Sequence, residues 1–289
     1  MKIAVASGKG GTGKTTVSVN LFHLMTLYTD KKVQLVDCDV EEPNDALFFK
    51  NPVVVNQEDA FQLIPEIDTD KCTFCKKCSD WCEFNAISIV PNLHFAEVNK
   101  SLCHSCGACM VACPEGAITE KEKSLGKITR YRIGKDKFLT EGRLKVGSAM
   151  QTTLIKKLKS YVEQNGIITI YDAPPGTSCP VVETVADADY IVLVTEPTPF
   201  GLHDLKIMVE LLEELQKPFG IIVNKAGLGN RRVYNFLEEK KIELLGEIPF
   251  NRKYAESYST GELLKNIPQN MLKVYQNIAD KIFEKEAVI

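Results

Sequence analysis

The chain has 289 residues, 44% of them hydrophobic and 25% charged, with a formal net charge of -3. That length predicts one large α/β unit or two ordinary domains, and the near-average composition excludes a disordered, collagen-like or low-complexity chain. Balanced charge gives no footprint for nucleic acid, no stretch approaches the roughly 18 apolar residues of a membrane span, and the N-terminal apolar run stops at glycines, so a cytoplasmic protein with no stable membrane anchor is expected.

The first element is a short β-prone run, Lys2-Ile3-Ala4-Val5-Ala6, which leads through a glycine loop into an amphipathic helix from Thr16 to about Thr29. Strand, glycine loop and helix in that order make a phosphate cradle, because backbone amides converge on one concavity only where no Cβ obstructs them. The candidate nucleotide set is Gly8, Lys9, Gly10, Gly11, Thr12, Gly13, Lys14, Thr15 and Thr16. Lys14 supplies a point charge to the β and γ phosphates, and Thr15 places a hydroxyl on magnesium. A second buried strand, Val33 to Val36, ends in Asp37-Cys38-Asp39, where the small thiol of Cys38 is expected to pack in the core.

Ten cysteines are the unusual number, and eight fall between Cys72 and Cys113. They form two runs of identical spacing, Cys72, Cys75, Cys78, Cys82 and Cys103, Cys106, Cys109, Cys113, with Ala86-Ile87 recurring as Ala117-Ile118. That is an internal duplication. Cysteines three residues apart are poorly placed to pair with each other, and zinc would want two well-separated pairs. Three thiolates at three-residue steps instead wrap one corner of an iron-sulfur cubane and leave its fourth iron to a distant cysteine. Trp81 and His104, beside the ligands, read as packing or surface.

Beyond the cysteines, Lys127 to Gly147 is expected to return to the sheet as a short β-hairpin. Ile167 to Tyr171 is a strand running into Asp172-Ala173-Pro174-Pro175-Gly176, and further strands are expected at Tyr190 to Val194 and Gly220 to Val223. A last helix, Met271 to Glu286, gathers Leu272, Tyr275, Ile278 and Ile282 on one face and is expected to pack. Alternating strands and helices imply an α/β fold, a mainly parallel sheet with helices on both faces and phosphate bound at the strands' carboxyl ends. The cysteine block interrupts this alternation, which predicts a discontinuous P-loop domain, 1–60 and 124–289, with an inserted α+β domain at 61–123.

Two resemblances sharpen the reading. The cysteine runs are similar to the two-cluster bacterial ferredoxins, which implies crossed ligation of two 4Fe-4S clusters. Cys72, Cys75, Cys78 and Cys113 would hold one, and Cys103, Cys106, Cys109 and Cys82 the other. Pro114 follows that pattern, whereas Glu83 follows Cys82, and Lys76 and Lys77 stand where the second run has Gly107 and Ala108. The glycine loop, with Lys9 after its first glycine, resembles the deviant Walker A loops of MinD/ParA-type ATPases, the nitrogenase iron protein and Mrp-type carriers. Taken whole, the chain resembles MinD-superfamily P-loop NTPases carrying an inserted ferredoxin domain.

That second resemblance implies roles for further residues. Lys9 would cross an ATP-dependent dimer interface, with a second copy or a related ATPase, to the partner's phosphates. Asp39 would orient the attacking water, and Asp172 would join Thr15 and Asp39 at ATP-bound magnesium, partly through water. The Gly176 amide would approach the γ phosphate, Asn224 would contact adenine, and Pro249-Phe250 would line the base pocket. Cys179 is expected in packed core, the alternative being a redox or metal contact at a dimer axis. Three functional classes follow: an ATP-gated electron carrier for an unidentified redox or iron-sulfur client, an iron-sulfur assembly or carrier ATPase, and a positioning ATPase. Complete four-cysteine sets favour the first, and the lack of a basic terminal helix or tail weakens the third.

Overall fold

The structure, a computed structural model, describes residues 1–163, 166–265 and 267–286. The chain runs β1 (Lys2–Ala6), α1 (Lys14–Tyr28), β2 (Lys32–Asp37), a 3-10 turn (Asp45–Phe48), β3 (Val53–Ile67), α2 (Lys77–Asp80), β4 (Ile87–Val90), β5 (Phe95–Val98), α3 (Ala108–Ala112), β6 (Ile118–Gly134) and β7 (Lys137–Leu144). It continues through α4 (Gln151–Ser160), β8 (Ile167–Asp172), α5 (Cys179–Val185), β9 (Tyr190–Thr195), α6 (Pro199–Glu214), β10 (Phe219–Ala226), α7 (Arg232–Lys240), β11 (Leu244–Pro249), α8 (Arg252–Ser259) and α9 (Gln269–Glu286).

Two compact units result. The first comprises Met1–Gln57, Ile128–Arg143 and Ile155–Ile289; the second comprises Glu58–Lys127 and Leu144–Leu154. The expected division at 61–123 differs at both edges and misses the second segment of the insert. Composition could not show either, because β3 and β6 are long strands that continue past the sequence's breaks. The Lys145 amide, moreover, donates to the Leu125 carbonyl at 2.9 Å, which ties the later segment to the second unit.

Among the described residues the large sheet has the order β11-β10-β9-β1-β8-β2-β7-β6-β3, and every pair from β11 to β7 is parallel. The sequence explains the centre: every residue of β8 and β9 is buried, as strands covered on both faces require, so they read as near-continuous apolar runs. From β1 the chain steps one way across the sheet through α1 to β2, whereas β8, β9, β10 and β11 succeed one another in the opposite direction. Right-handed crossovers therefore place α1 on one face and α5, α6 and α7 on the other. The carboxyl end of β1 lies beside this reversal, where such sheets bind ligands. The terminal helix packs on α1 and β11 through Met271, Tyr275, Ile278 and Ile282, each at most 1% exposed. The Lys127 to Gly147 hairpin forms, but its first strand is much longer than expected, since β6 starts at Ile118.

In the second unit β4 and β5 form an antiparallel pair, while α2 and α3 are single short turns of helix. The duplication extends to the backbone. Phe74 and Ser105 both have φ 54°, Lys76 and Gly107 have φ 66° and 73°, and Asn85 and Gly116 have φ 49° and 59°. Lys76 thus holds a left-handed conformation that Gly107 adopts without strain, at a cost on the order of 1 kcal/mol.

Candidate functional site

The loop after β1 is shaped by what presses on it. Gly13 has φ 96°, and a Cβ there would fall 2.2 Å from the Asn224 amide nitrogen; a Cβ on Gly8 would fall 2.5 Å from the Asp204 carbonyl oxygen. Gly10 and Gly11 are exposed and Thr12 is buried. Gly11, Gly13, Lys14, Thr15 and Thr16 line a cavity of about 280 Å³ that continues past Asn224 to Pro249, Phe250 and Tyr254. This gives one concave space with a phosphate end and an apolar, base-sized end. Tyr254 is fixed at both ends: its hydroxyl donates to the Asn20 side-chain oxygen at 2.9 Å, and its amide donates to the Asn251 side chain that caps α8.

Behind the loop, the Thr15 hydroxyl donates to one Asp172 oxygen at 2.7 Å and Ser18 to the other at 2.8 Å. Burial raises the Asp172 carboxyl above its ordinary range, opposed by the Lys14 charge and by these two hydroxyls. The metal set expected from sequence is Thr15, Asp39 and Asp172; the structure joins Thr15 to Asp172 by a hydrogen bond and sets Asp39 near enough to feel the charge of Lys14 and to act on Asp172. Asp39 is half-buried, its amide donating to Asp37, and its carboxyl is raised by burial against the pull of Lys14. Asp37 and Asp45 instead group with Asp172, one oxygen of each lying within 4.8 Å of the others. Asp45 gave no sequence signal, since it follows no motif and comes inward only with the 3-10 turn.

Three further residues have partners within the chain that the sequence does not announce. The Gly176 amide does not point free toward a phosphate; it donates to the Ser7 carbonyl at 3.2 Å, because the segment after β8 folds against the end of β1. The Asn224 amide group donates to the Thr12 carbonyl at 2.7 Å, and its oxygen accepts from the Lys225 amide, so Asn224 buttresses the loop as well as lining the cavity. Lys9 is held within its own chain, its ammonium 2.5 Å from one oxygen of Glu196, while Lys225 bonds the other oxygen at 3.0 Å and the Gly11 carbonyl at 2.9 Å. Burial alone would raise the Glu196 carboxyl, but the two lysines outweigh it and leave it lowered. Glu196 was missed in sequence because its role exists only where the end of β9 meets the loop.

The two cysteines outside the duplicated runs separate. Cys38 is fully buried, as expected, and burial with the adjacent Asp37 pushes its thiol up. Cys179 is exposed, contrary to expectation. The buried face of α5 is Val181, Thr184 and Val185, and a residue two positions before Val181 lies on the opposite side of the helix.

In the second unit, Cys72, Cys75, Cys78 and Cys113 line one cavity, and Cys82, Cys103, Cys106 and Cys109 line another. Each set mixes the two sequence runs. Backbone amides aim at sulfur at equivalent positions: Phe74 on Cys72 and Ser105 on Cys103 at 3.4 Å, Ala86 on Cys82 at 3.3 Å and Ala117 on Cys113 at 3.4 Å. Burial raises the Cys78 and Cys103 thiols and pushes Cys109 up to about 11. Four convergent sulfurs with amide donors fit a thiolate-held group of net positive charge, and the soft donor set suits iron-sulfur or zinc rather than magnesium. Trp81 is exposed, and His104 stacks on Phe84 with ring centroids 3.7 Å apart.

The family model for the CobQ/CobB/MinD/ParA nucleotide binding domain matches residues 3–264. The chain is 33% identical over 265 residues to the uncharacterized protein MJ0579 of Methanocaldococcus jannaschii, covering 91% of this chain and 90% of that one. It is 24% identical over 300 residues to an iron-sulfur cluster carrier protein of the same organism, covering 98% and 84%. The cell division ATPase MinD of Pyrococcus furiosus has the same fold, with a TM-score of 0.57, 19% identity and 98% of each chain covered. Among the described residues, no helix is long and apolar enough to cross a membrane.

Proposed function

The chain belongs to the CobQ/CobB/MinD/ParA nucleotide-binding family, and from that premise we propose that it is an ATPase that couples nucleotide-driven dimer switching to electron transfer. The observation that carries the redox half is the pairing of three cysteines from one run with the last cysteine of the other in each of two cavities. Cys72, Cys75, Cys78 and Cys113 would hold one 4Fe-4S cluster, and Cys103, Cys106, Cys109 and Cys82 the other. Such clusters supply one-electron transfer when bound. The chain's own contribution is to enclose them among Ile67, Ile87, Ile89 and Ile118 and to direct amide donors at Cys72, Cys82, Cys103 and Cys113, both of which tune potential.

In the nucleotide half, the loop amides and Lys14 bind the phosphates of ATP, Thr15 and Asp172 hold magnesium, and Pro249 and Phe250 flank the base. Asp39 orients the attacking water. Lys9 leaves Glu196 to reach the phosphates of a second chain, so dimerisation exchanges one anionic partner for another of higher charge. Glu196 is then left to Lys225, which also bonds the loop at Gly11.

The test is the cluster potential measured with ADP and with a non-hydrolysed ATP analogue. A shift of about 30 mV, roughly 0.7 kcal/mol for one electron, is expected; unchanged potential together with unchanged electron transfer to any acceptor defeats the proposal. A second reading, an assembly or carrier ATPase, is favoured by the likeness to the carrier protein. It predicts that iron and sulfide leave the chain for an apo-acceptor on ATP turnover, whereas resident redox centres stay.

A further inference from the structure

Behind the P-loop the chain buries more carboxyl groups than the roles given above use. Asp37, Asp45 and Asp172 are each at most 1% exposed. Two of them are well partnered. Asp37 accepts backbone amides from Asp39, Asn44 and Asp45 at 3.0, 2.8 and 3.1 Å, and Asp172 accepts the Thr15 and Ser18 hydroxyls. Asp45 is not: both of its side-chain oxygens are buried without a hydrogen-bond partner, although one lies within 4.8 Å of oxygens of the other two. Nor is it a loose loop residue. Its amide is tied to Asp37, and Phe48, in the same 3-10 turn, packs on Tyr258 with ring centroids 4.8 Å apart. A buried, unpaired carboxylate costs several kcal/mol, and burial beside Asp37 and Asp172 raises the Asp45 carboxyl, so the group either holds a proton or shares a cation with the two carboxyls near it.

We propose that Asp45, with Asp37 and Asp172, forms a site for a hard divalent cation that fills before nucleotide arrives. The proposal deepens the magnesium assignment and rests on it for the role of Asp172. Oxygen-only donors select magnesium, manganese or calcium over zinc or iron. Opposite ligands stand roughly 4.2 Å apart around magnesium and roughly 4.8 Å apart around calcium, so three oxygens all within 4.8 Å of one another are close enough to share either ion after at most a small contraction. A cation there ties the 45–48 turn to the carboxyl ends of β2 and β8 before ATP binds.

The test is manganese titration of the full chain, isolated without loss of iron, oxidised and stripped of loosely bound cations, with no nucleotide present. Loss of the free manganese spin-resonance signal should report one tightly held ion per chain, displaced by whichever of magnesium or calcium is native. Asp45→Asn should weaken it at least roughly tenfold. In chelator that variant should melt no lower than wild type, since it removes a buried charge, yet it should lose the rise in melting temperature that manganese gives wild type. Absence of tight manganese from wild type overturns the proposal whether or not the variant folds, and so does equal affinity in both. Binding of a fluorescent ATP analogue, measured alongside, separates the readings: nucleotide bound without prior manganese defeats this inference alone, and loss of both defeats the nucleotide assignment as well.

Discussion

The two units hold themselves together in opposite ways. In the P-loop unit the apolar core runs from Ile3 and Val5 through Leu21, Phe22, Ile168, Ile170 and Val192 to Tyr275 and Ile282, nearly all fully buried. At about 1.5–3 kcal/mol for each large side chain taken out of water, that burial can offset the ordering of the chain without help from a ligand. The clusters around the cysteines of the second unit are smaller. Around the cysteines, Ile64, Ala86, Ile87, Ile89 and Ile118 pack with Cys78, Cys103 and Cys109, so the prospective ligands are themselves part of the interior, while Leu125 and Leu154 are buried elsewhere in the unit. A small unit whose prospective ligands sit in its interior is expected to gain stability from a metal or another staple, and the difference shows where function and stability are one property and where they are separable.

The sharpest way to break the comparison is to remove the iron. Chelation under anaerobic, reducing conditions should abolish hydrogen-exchange protection across 58–127, by at least about a hundredfold, while β1, β8 and β9 keep theirs. Uniform loss across both units would mean that they share one stability. Next in size, Lys14→Ala should weaken ATP binding by about a hundredfold, roughly 3 kcal/mol for a charge-assisted contact, with little change in melting temperature, because the P-loop core does not need its ligand. Calorimetric titration and a thermal melt read the two quantities separately.

Cys113→Ser sharpens the comparison inside the cysteine unit. About half the iron should be lost, and the surviving reduced cluster should lose its magnetic interaction with a neighbour. The damaged site should be that of Cys72, Cys75 and Cys78, even though Cys113 stands in the other run; damage confined to the Cys103 site would refute crossed ligation. The smallest effect belongs to the self-sufficient unit. Tyr254→Phe leaves the Asn20 oxygen without its 2.9 Å donor and should cost about 1–2 kcal/mol in denaturant unfolding, without altering iron content.

Much of this was legible in one dimension because the chemistry imposes a local spacing. A phosphate cradle needs its glycines, lysine and threonine within eight consecutive residues, and each cysteine run needs its three-residue steps, so Gly8 to Thr15 and Cys72 to Cys113 announced themselves. Buried parallel strands were legible for the same reason: a strand covered on both faces cannot alternate, and Ile167 to Tyr171 does not. Cys179 misled, since a small apolar residue near a buried strand reads as core until the helix phase of α5 turns it outward.

The amino-acid sequence by itself therefore determined the motif chemistry, the α/β class and the existence of an insert, since those depend on residues close together in the chain. Tertiary structure alone decided which groups meet across it. Lys9 finds Glu196, Asn224 finds Thr12, and Asp45 turns inward beside Asp172. These pairs are separated by more than a hundred residues, and no local spacing encodes a contact that only the order of strands in the sheet brings about.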